Sequence, residues 1–417
     1  MVRVVRVLSV LVLLSVAGCG GPGEGARPSA PSEASGTTTP SASPAPPAPA
    51  TPDPSPGPTT SEGTVTPSPR PAPSDIDELL EKMTLEEKVG QIIMVGVPVT
   101  GELETPAAVI RDHHVANVFL HGRTEAGQAP MRELVDEVTA VGAAANPRDP
   151  LMLVATDQEG GLVQVLRGPG FSEIPSAVEQ AELSPGELRR EARRWGQELA
   201  DVGVNLNLAP VADVVSRETA ASNEPIGAIQ RNYGFTLRSV TEGSVAFGAG
   251  MRASGVATTP KHFPGLGLTL GNTDTAAKVV DTVTGRDAKS VRAFRGNVEA
   301  GAEFVMMSSA YYELIDARNP ALFSPAMVRL LRKDLGFDGV VMTDDVSAAA
   351  AVQPWPAGER AVRAVEAGVD LVLASADPTT AGPMAEALVT RAKSDPRFAD
   401  RIDEAAARVL RAKSALG

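Results

Sequence analysis

Charged side chains follow directly after several apolar segments of this 417-residue chain, in positions where they can do chemistry. Asp157 and Asp344 each end such a segment, and the pair Lys261 and His262 ends another. Carboxylates, an ammonium group and an imidazole that converge on one site suit a polyhydroxylated ligand, because its hydroxyls both donate and accept hydrogen bonds. No metal is expected, because Asp344 and Asp345 are neighbours on a strand and point to opposite sides.

The apolar segments that precede these residues read as strands. They are rich in Val, Ile, Leu and Met with little alternation, which is typical of strands buried on both faces. They cover residues 91–97, 116–120, 151–156, 204–210, 256–260, 304–308, 339–343 and 369–374. Helices are predicted around and between them, over residues 75–88, 131–144, 185–201, 237–253, 288–300, 325–334, 358–367 and 402–416.

This alternation predicts an α/β fold, a single (β/α)8 TIM-type barrel, with its chemistry at the carboxyl ends of the strands. An open doubly wound sheet is the alternative, and it is weakened because no G-x-G-x-x-G follows an early strand. The composition allows a large core, since 43% of the residues are hydrophobic. The net charge of −13 argues against nucleic acid as a partner.

The N-terminal residues resemble a secretion signal. Arg3 and Arg6 precede an apolar run over residues 7–18, which is too short to span a bilayer comfortably. The run ends Val16-Ala17-Gly18-Cys19, and small residues before a cysteine resemble a bacterial lipobox. Cys19 is the single cysteine of the chain. We therefore expect residues 1–19 to be a lipoprotein signal peptide and Cys19 to carry a lipid anchor on the outer face of a bacterial cell membrane. An ordinary signal peptide is the alternative.

Residues 20–74 consist mainly of Pro, Ala, Ser, Thr and Gly and show no apolar periodicity. Such a segment cannot bury enough apolar surface to fold, so a disordered tether is expected. The predicted domains are therefore the leader 1–19, the linker 20–74 and one barrel over 75–417.

Four motifs in the barrel region together resemble the catalytic barrel of glycoside hydrolase family 3, and most closely its bacterial β-N-acetylglucosaminidases. The resemblance covers residues 75–417 and rests on Asp157-Gln158-Glu159-Gly160-Gly161, Leu208-Ala209-Pro210-Val211, Lys261-His262-Phe263-Pro264-Gly265 and Gly336-Phe337-Asp338-Gly339-Val340-Val341-Met342-Thr343-Asp344-Asp345. It implies a retaining glycosidase that needs no cofactor.

The resemblance also implies roles for individual residues. Asp344 falls at the position of the family's nucleophile. Asp157, Lys261 and His262 fall at positions that hold sugar hydroxyls. Arg231 best matches an arginine that also binds the sugar, although the segment before it is longer than usual.

The chain departs from the family where a proton donor is expected. The acetylglucosaminidase branch carries an Asp-x-His dyad after this lysine–histidine motif, and here Asp274 survives while Ala276 takes the place of the histidine. An alanine cannot transfer a proton. Leu162, Val165 and Leu266 likewise replace polar residues that are usual there.

Three outcomes follow from that loss. Asp274 itself serves as the acid, or another group such as His121 reaches the site, or the protein binds sugar and turns it over poorly. The leading hypothesis is an exo-acting β-N-acetylhexosaminidase-like enzyme, a monomer, acting on cell-wall or related glycans with Asp344 and Asp274 as catalytic residues. The alternatives are a catalytically impaired glycan-binding lipoprotein, and a β-glucosidase or phosphorolytic enzyme of the same fold.

Overall fold

The structure is a computed structural model that describes residues 73–148 and 151–416. Its helices are α1 Pro73–Lys82, α2 Leu85–Gln91, α3 Glu104–His113, α4 Gln128–Ala145, α5 Ala177–Gln180, α6 Pro185–Ala200, α7 Leu237–Arg252, α8 Lys289–Glu299, α9 Glu313–Asp316, α10 Pro325–Arg329, α11 Ala357–Ala367, α12 Ala381–Ser394 and α13 Pro396–Ser414. Its strands are β1 Ile93–Pro98, β2 Asn117–His121, β3 Leu153–Thr156, β4 Gln158–Gly160, β5 Val163–Gln164, β6 Leu206–Asn207, β7 Ala257–Thr258, β8 Val280–Asp281, β9 Phe304–Met307, β10 Tyr311–Tyr312, β11 Ala317–Pro320, β12 Val340–Thr343 and β13 Val372–Ala374.

A parallel sheet forms the centre of the fold. Within the described residues, six strands pair in the order β13-β1-β2-β3-β6-β7, and β9 pairs with β12. Single bridges continue this pairing, from Phe263 to Met307 on one side and from Met342 to Leu371 on the other. Each of the eight predicted apolar segments overlaps one of these parallel strands, so the expectation of buried parallel β-structure is confirmed.

The strands carry the core because both of their faces are covered. Every residue of β3, β9 and β12 is buried. The helices contribute their apolar faces to the same core, and Trp195 of α6, for example, meets Phe247 of α7 with ring centroids 6.3 Å apart. The carboxyl ends of parallel strands meet at one edge, so the residues after β3, β7 and β12 are brought together.

One predicted helix is divided into two helices in the structure. The sequence suggested one helix over residues 75–88, whereas the structure has α1 and α2 separated at Thr84. The Thr84 hydroxyl accepts a hydrogen bond from the Glu87 amide, and the Glu87 carboxylate accepts one from the Thr84 amide at 2.8 Å. This capping box starts a new helix, and the Thr-x-x-Glu spacing that marks it was visible in the sequence.

Short additional strands were not predicted. β4 and β5 form an antiparallel hairpin directly after β3. β8, β10 and β11 form a separate three-stranded sheet. Among the described residues, no helix is both long enough and apolar enough to cross a membrane.

Candidate active site

A pocket of about 330 Å³ lies at the carboxyl ends of the parallel strands. Every catalytic or sugar-binding residue predicted within the described chain contributes to its wall: Asp157, Arg231, Lys261, His262, Asp274 and Asp344. They come from five separate segments of the sequence, and the fold brings them together as the strand-end argument predicted. Ala276 and His121 lie outside this wall.

A charged cluster forms one side of the pocket. Lys261 donates from its Nζ to Asp157 Oδ1 at 2.5 Å and to Glu159 Oε1 at 2.6 Å. Arg231 grips the same Glu159 with two parallel bonds, from Nε at 2.9 Å and from Nη2 at 2.7 Å. Lys261 is 3% exposed and Asp157 is 28% exposed, so Asp157 is the member most open to a ligand.

Glu159 is ionised in this cluster. Burial alone would raise the pKa of its carboxyl, but the charges of Arg231 and Lys261 outweigh that effect and hold the pKa at about 2. Burial also disfavours the Lys261 cation, yet Asp157 and Glu159 overcome it and raise the Lys261 pKa. Glu159 and Lys261 are therefore charged at neutral pH. Ionised groups of this kind form charge-assisted hydrogen bonds, which suit sugar hydroxyls.

His262 is oriented by a buried aspartate. Its Nδ1 lies 2.9 Å from Asp213 Oδ2, and Asp213 Oδ1 also accepts from the Leu266 amide at 2.8 Å. Asp213 is fully buried, so it acts on His262 and on the backbone beyond it rather than on a ligand. With Nδ1 engaged, the His262 Nε2 remains on the side of Arg231, whose Nη2 lies 3.5 Å away.

Asp344 follows β12 and is held at the pocket wall. Its amide donates to the Met307 carbonyl at 3.2 Å, and its Oδ1 accepts from the Asp345 amide at 2.9 Å. Burial raises the pKa of the Asp344 carboxyl to about 6, and the charge of Asp274 adds to that rise against the opposing charges of His262 and Lys261. Asp344 is thus an ionised carboxylate at neutral pH that is poorly solvated, which suits a nucleophile.

Asp345 has a different role from its neighbour. Its Oδ1 accepts from the Ser347 amide and hydroxyl, at 2.9 and 2.6 Å, and from the Ser375 amide at 2.9 Å. These bonds connect the turn after β12 to the turn after β13. Asp345 therefore fastens these two turns to each other, a structural role that differs from the one expected of Asp344.

The segment that carries Asp274 is hydrogen-bonded to the segment that follows β12 and Asp344. The Ala351 amide donates to the Thr273 carbonyl and the Ala350 amide to the Asp274 carbonyl, each at 3.1 Å. At its start, the buried Asn223 side chain holds the Leu266 and Thr269 carbonyls at 2.8 and 2.7 Å. The Asp274 side chain is exposed and faces the pocket. These bonds place a second carboxylate in the same pocket as Asp344.

The residues that replace the usual polar ones lie in different places. Ala276 packs against the apolar core, and Leu266 is buried while contributing to the pocket wall. His121 ends β2, and burial lowers its pKa while the charge of Asp345 opposes that shift. Of the groups considered as proton donor, Asp274 is the one placed in the pocket.

Two site residues were given no role from the sequence. Glu159 lies two positions after Asp157, and residues i and i+2 of an extended segment face the same side, so this spacing was a usable signal. Asp213 follows the Pro210-Val211-Ala212 segment at a strand end, where a charged residue after a buried run was equally visible. Within residues 73–148 and 151–416, no three His, Cys, Asp or Glu side chains group as ligands for a metal ion.

The arrangement defines a class of enzyme. One poorly solvated carboxylate and a second, exposed carboxylate share a pocket with a cluster of fixed charges, and a pair of carboxylates in one pocket is typical of glycoside hydrolases. The sequence matches the glycosyl hydrolase family 3 N terminal domain over residues 84–412. The chain belongs to that family, and it is a hexosaminidase-like glycoside hydrolase within it.

Individual relatives agree with this assignment. The chain is 52% identical to the crystal structure of a β-N-acetylhexosaminidase from Beutenbergia cavernae, with a TM-score of 0.79 over 80% of this chain and 99% of that one. It is 30% identical to a family 3 β-N-acetylglucosaminidase from Paenibacillus, with a TM-score of 0.72 over 80% of this chain and 63% of that one. A β-hexosaminidase from Methylococcus capsulatus is 32% identical over 286 residues, which are 66% of this chain and 80% of that protein.

Proposed function

We propose that this protein is a retaining, exo-acting β-N-acetylhexosaminidase that works as a monomer on a β-linked amino-sugar glycan. The observation that carries the proposal is the placement of Asp344, with its pKa raised to about 6, in one pocket with Asp274 and with the Asp157–Lys261–Arg231 cluster. The named relatives support the amino-sugar specificity. The impaired glycan-binding protein and the β-glucosidase are not favoured.

The two carboxylates divide the chemistry between them. Asp344 attacks the anomeric carbon and forms a glycosyl ester, while the bond to the leaving oxygen breaks and that oxygen takes a proton from Asp274. A water molecule then gives its proton to Asp274, attacks the anomeric carbon and releases Asp344. The two displacements together retain the anomeric configuration.

The charged cluster supplies binding and orientation. Asp157 accepts hydrogen bonds from sugar hydroxyls, Lys261 and Arg231 donate to them, and His262 contacts them through its Nε2 while Nδ1 bonds Asp213. Contacts to fixed groups position the anomeric carbon against Asp344, and positioning of this kind supplies a large part of the rate enhancement of enzymes.

The barrel is the fold that this function uses. The six-stranded sheet, the β9–β12 pair and the two bridges between them support closure into a (β/α)8 TIM-type barrel with the site at its carboxyl end. The same architecture explains why five separate segments supply the site residues.

Release of nitrophenol from nitrophenyl β-N-acetylglucosaminide and β-glucoside tests the activity. We expect turnover of the amino sugar and little of the glucoside by the full chain, with Asp344→Asn as the control. Equal rates for wild type and control would refute the hydrolase, and preference for the glucoside would refute the specificity.

Activity is expected to fall on the acid side of pH 6. Asp344 must be ionised to attack, and burial raises its pKa to about 6. kcat/KM should therefore decrease about tenfold per pH unit well below pH 6. A pH profile of kcat/KM between pH 4 and 8 measures this limb, and a value of kcat/KM that stays constant down to pH 4 would contradict the raised pKa.

The proposal includes an extracytoplasmic location. Residues 1–19 are a lipoprotein signal peptide, Cys19 carries the lipid, and residues 20–74 hold the enzyme off the membrane near cell-wall glycans, where it serves peptidoglycan turnover. The leader, Cys19 and the linker up to residue 72 lie outside the described residues, so this part rests on the sequence. The last two linker residues, Pro73 and Ser74, already belong to α1.

Cys19→Ser is expected to release the protein from the membrane fraction of a bacterial host, because lipid chains supply the anchor. Fractionation followed by immunoblotting measures this. Ser15→Ala, in the same leader, is the matched control and should leave the protein in the membrane fraction. Membrane association of the Cys19→Ser protein equal to wild type would contradict the anchor.

A further inference from the structure

A single buried carboxylate lies between the two cations of the sugar-binding cluster. Glu159 receives both parallel donors of Arg231 and also the ammonium group of Lys261, at 2.6 to 2.9 Å. Its side chain is 5% exposed, whereas Asp157 is open enough to meet a ligand. Glu159 thus contacts the residues that bind sugar but lies behind them.

The charges explain why such a group is needed. Arg231 and Lys261 are close enough that the arginine charge opposes the lysine charge. Without Glu159, two buried cations would repel each other in a medium that screens charge poorly. With it, Lys261 donates to Asp157 and Glu159, and an ammonium group has a third proton that can serve a ligand in the pocket that Lys261 lines.

The same carboxylate affects the field at the nucleophile. The charged groups with the largest effects on Asp344 are His262, Asp274 and Lys261, and the two cationic ones, His262 and Lys261, favour its ionised form. Asp157 and Asp213 are the other carboxylates that act on Arg231 beside Glu159, and Tyr233 faces Glu159 from the segment before α7. Because Glu159 pairs with Lys261, it offsets part of the positive charge that acts on Asp344.

We infer that Glu159 is a positioning residue that fixes Arg231 and Lys261 for the sugar hydroxyls and limits the positive field at Asp344. The inference rests on the proposed glycosidase function. It assigns a role to a carboxylate that does not itself line the pocket wall.

Glu159→Gln tests both parts of the inference. The amide keeps the shape but loses the charge, so kcat/KM should fall about 100-fold through misplacement of Arg231 and Lys261. The uncancelled cations should also move the acid limb of the kcat/KM profile to lower pH, by about 0.5 to 1 pH unit. A purely structural residue would not move this limb.

Three further variants separate the possible causes. Glu159→Asp keeps the charge and should return the limb to its wild-type position. Arg231→Gln removes a positive charge and should move the limb to higher pH, which preserves the test if Glu159→Gln fails to fold. Glu303→Gln is the matched control, because Glu303 is a partly buried carboxylate that pairs with Arg252 at the opposite ends of the strands, and it should move nothing.

The outcomes are distinct. The inference is overturned if the acid limb of kcat/KM in folded Glu159→Gln lies at the same pH as in wild type, whatever the loss of rate. Where Glu159→Gln does not fold, the same result for Arg231→Gln overturns it. If wild type proves inactive, the proposed function fails. Binding of N-acetylglucosamine, measured by the shift in melting temperature, then replaces the rate as the quantity compared. Glu159→Gln must then weaken binding at least tenfold, and unchanged binding or no binding by wild type overturns the inference.

Discussion

Asp344→Asn is expected to reduce kcat by at least about 10⁴-fold, the largest effect of any single substitution in this chain. The asparagine amide cannot form the glycosyl ester that splits the reaction into two displacements. The Asp345 amide that bonds Asp344 Oδ1 can bond an asparagine oxygen equally well. The loss should therefore be chemical, with the pocket unchanged and sugar binding retained.

The stereochemistry of a rescue experiment adds a second test. Asp344→Gly leaves space next to the anomeric carbon, and azide can enter that space as an external nucleophile. One displacement in place of two should give the α-glycosyl azide, which NMR identifies. A β-product, or rescue at the same rate in wild type, would contradict Asp344 as nucleophile.

Asp344→Asn should also make the protein more stable. Burial raises the Asp344 pKa to about 6, so the folded state holds its proton more tightly than the unfolded state. The ionised group therefore opposes folding, increasingly as the pH rises through the range from 4 to 6. Asp344→Asn should increase the free energy of unfolding by about 2–3 kcal/mol at pH 7 and by less at pH 5. A denaturant titration measures it, and equal increases at both pH values would contradict the shift.

Asp274→Ala is expected to lower kcat/KM by about 10²- to 10⁴-fold, the usual contribution of a general acid. Its backbone is fastened by the Ala350 and Ala351 amides, so the side chain can be removed without freeing the segment. The loss should be large for a sugar leaving group, which needs a proton, and small for dinitrophenol, which does not. This dependence on the leaving group identifies a proton donor.

Thr275→Ala is the matched control for that experiment. Thr275 is the exposed neighbour of Asp274 on the same segment and lies outside the pocket wall, so its loss should leave the rates unchanged. A rate for Asp274→Ala equal to wild type on a disaccharide would remove Asp274 from the mechanism. His121 would then be the next group to test.

Much of the fold followed from the sequence because buried parallel strands have a distinct composition. Each of the eight apolar segments overlaps a parallel strand, and most of these strands are shorter than the predicted segments. The division of residues 75–88 into α1 and α2 was missed, because apolar periodicity continued across Thr84 while the capping box overrode it. The short strands β4, β5, β8, β10 and β11 were missed because two to four residues carry no periodic signal.

The sequence by itself determined which residues surround the pocket. Asp157, Lys261, His262 and Asp344 end strands, and parallel strands bring their ends together, so the motifs alone placed them at one site. It also showed that Ala276 cannot donate a proton, because that conclusion depends on residue type and on no geometry.

Only the tertiary structure decided how these residues act on one another. The pKa of Asp344, the charge balance around Glu159 and the orientation of His262 by Asp213 all depend on burial and on distances between groups far apart in the chain. The position of Asp274 likewise depends on amides at 350 and 351, more than seventy residues away. Electrostatic interactions and desolvation act through space, so residue order could name the participants but not the strength or sign of their coupling.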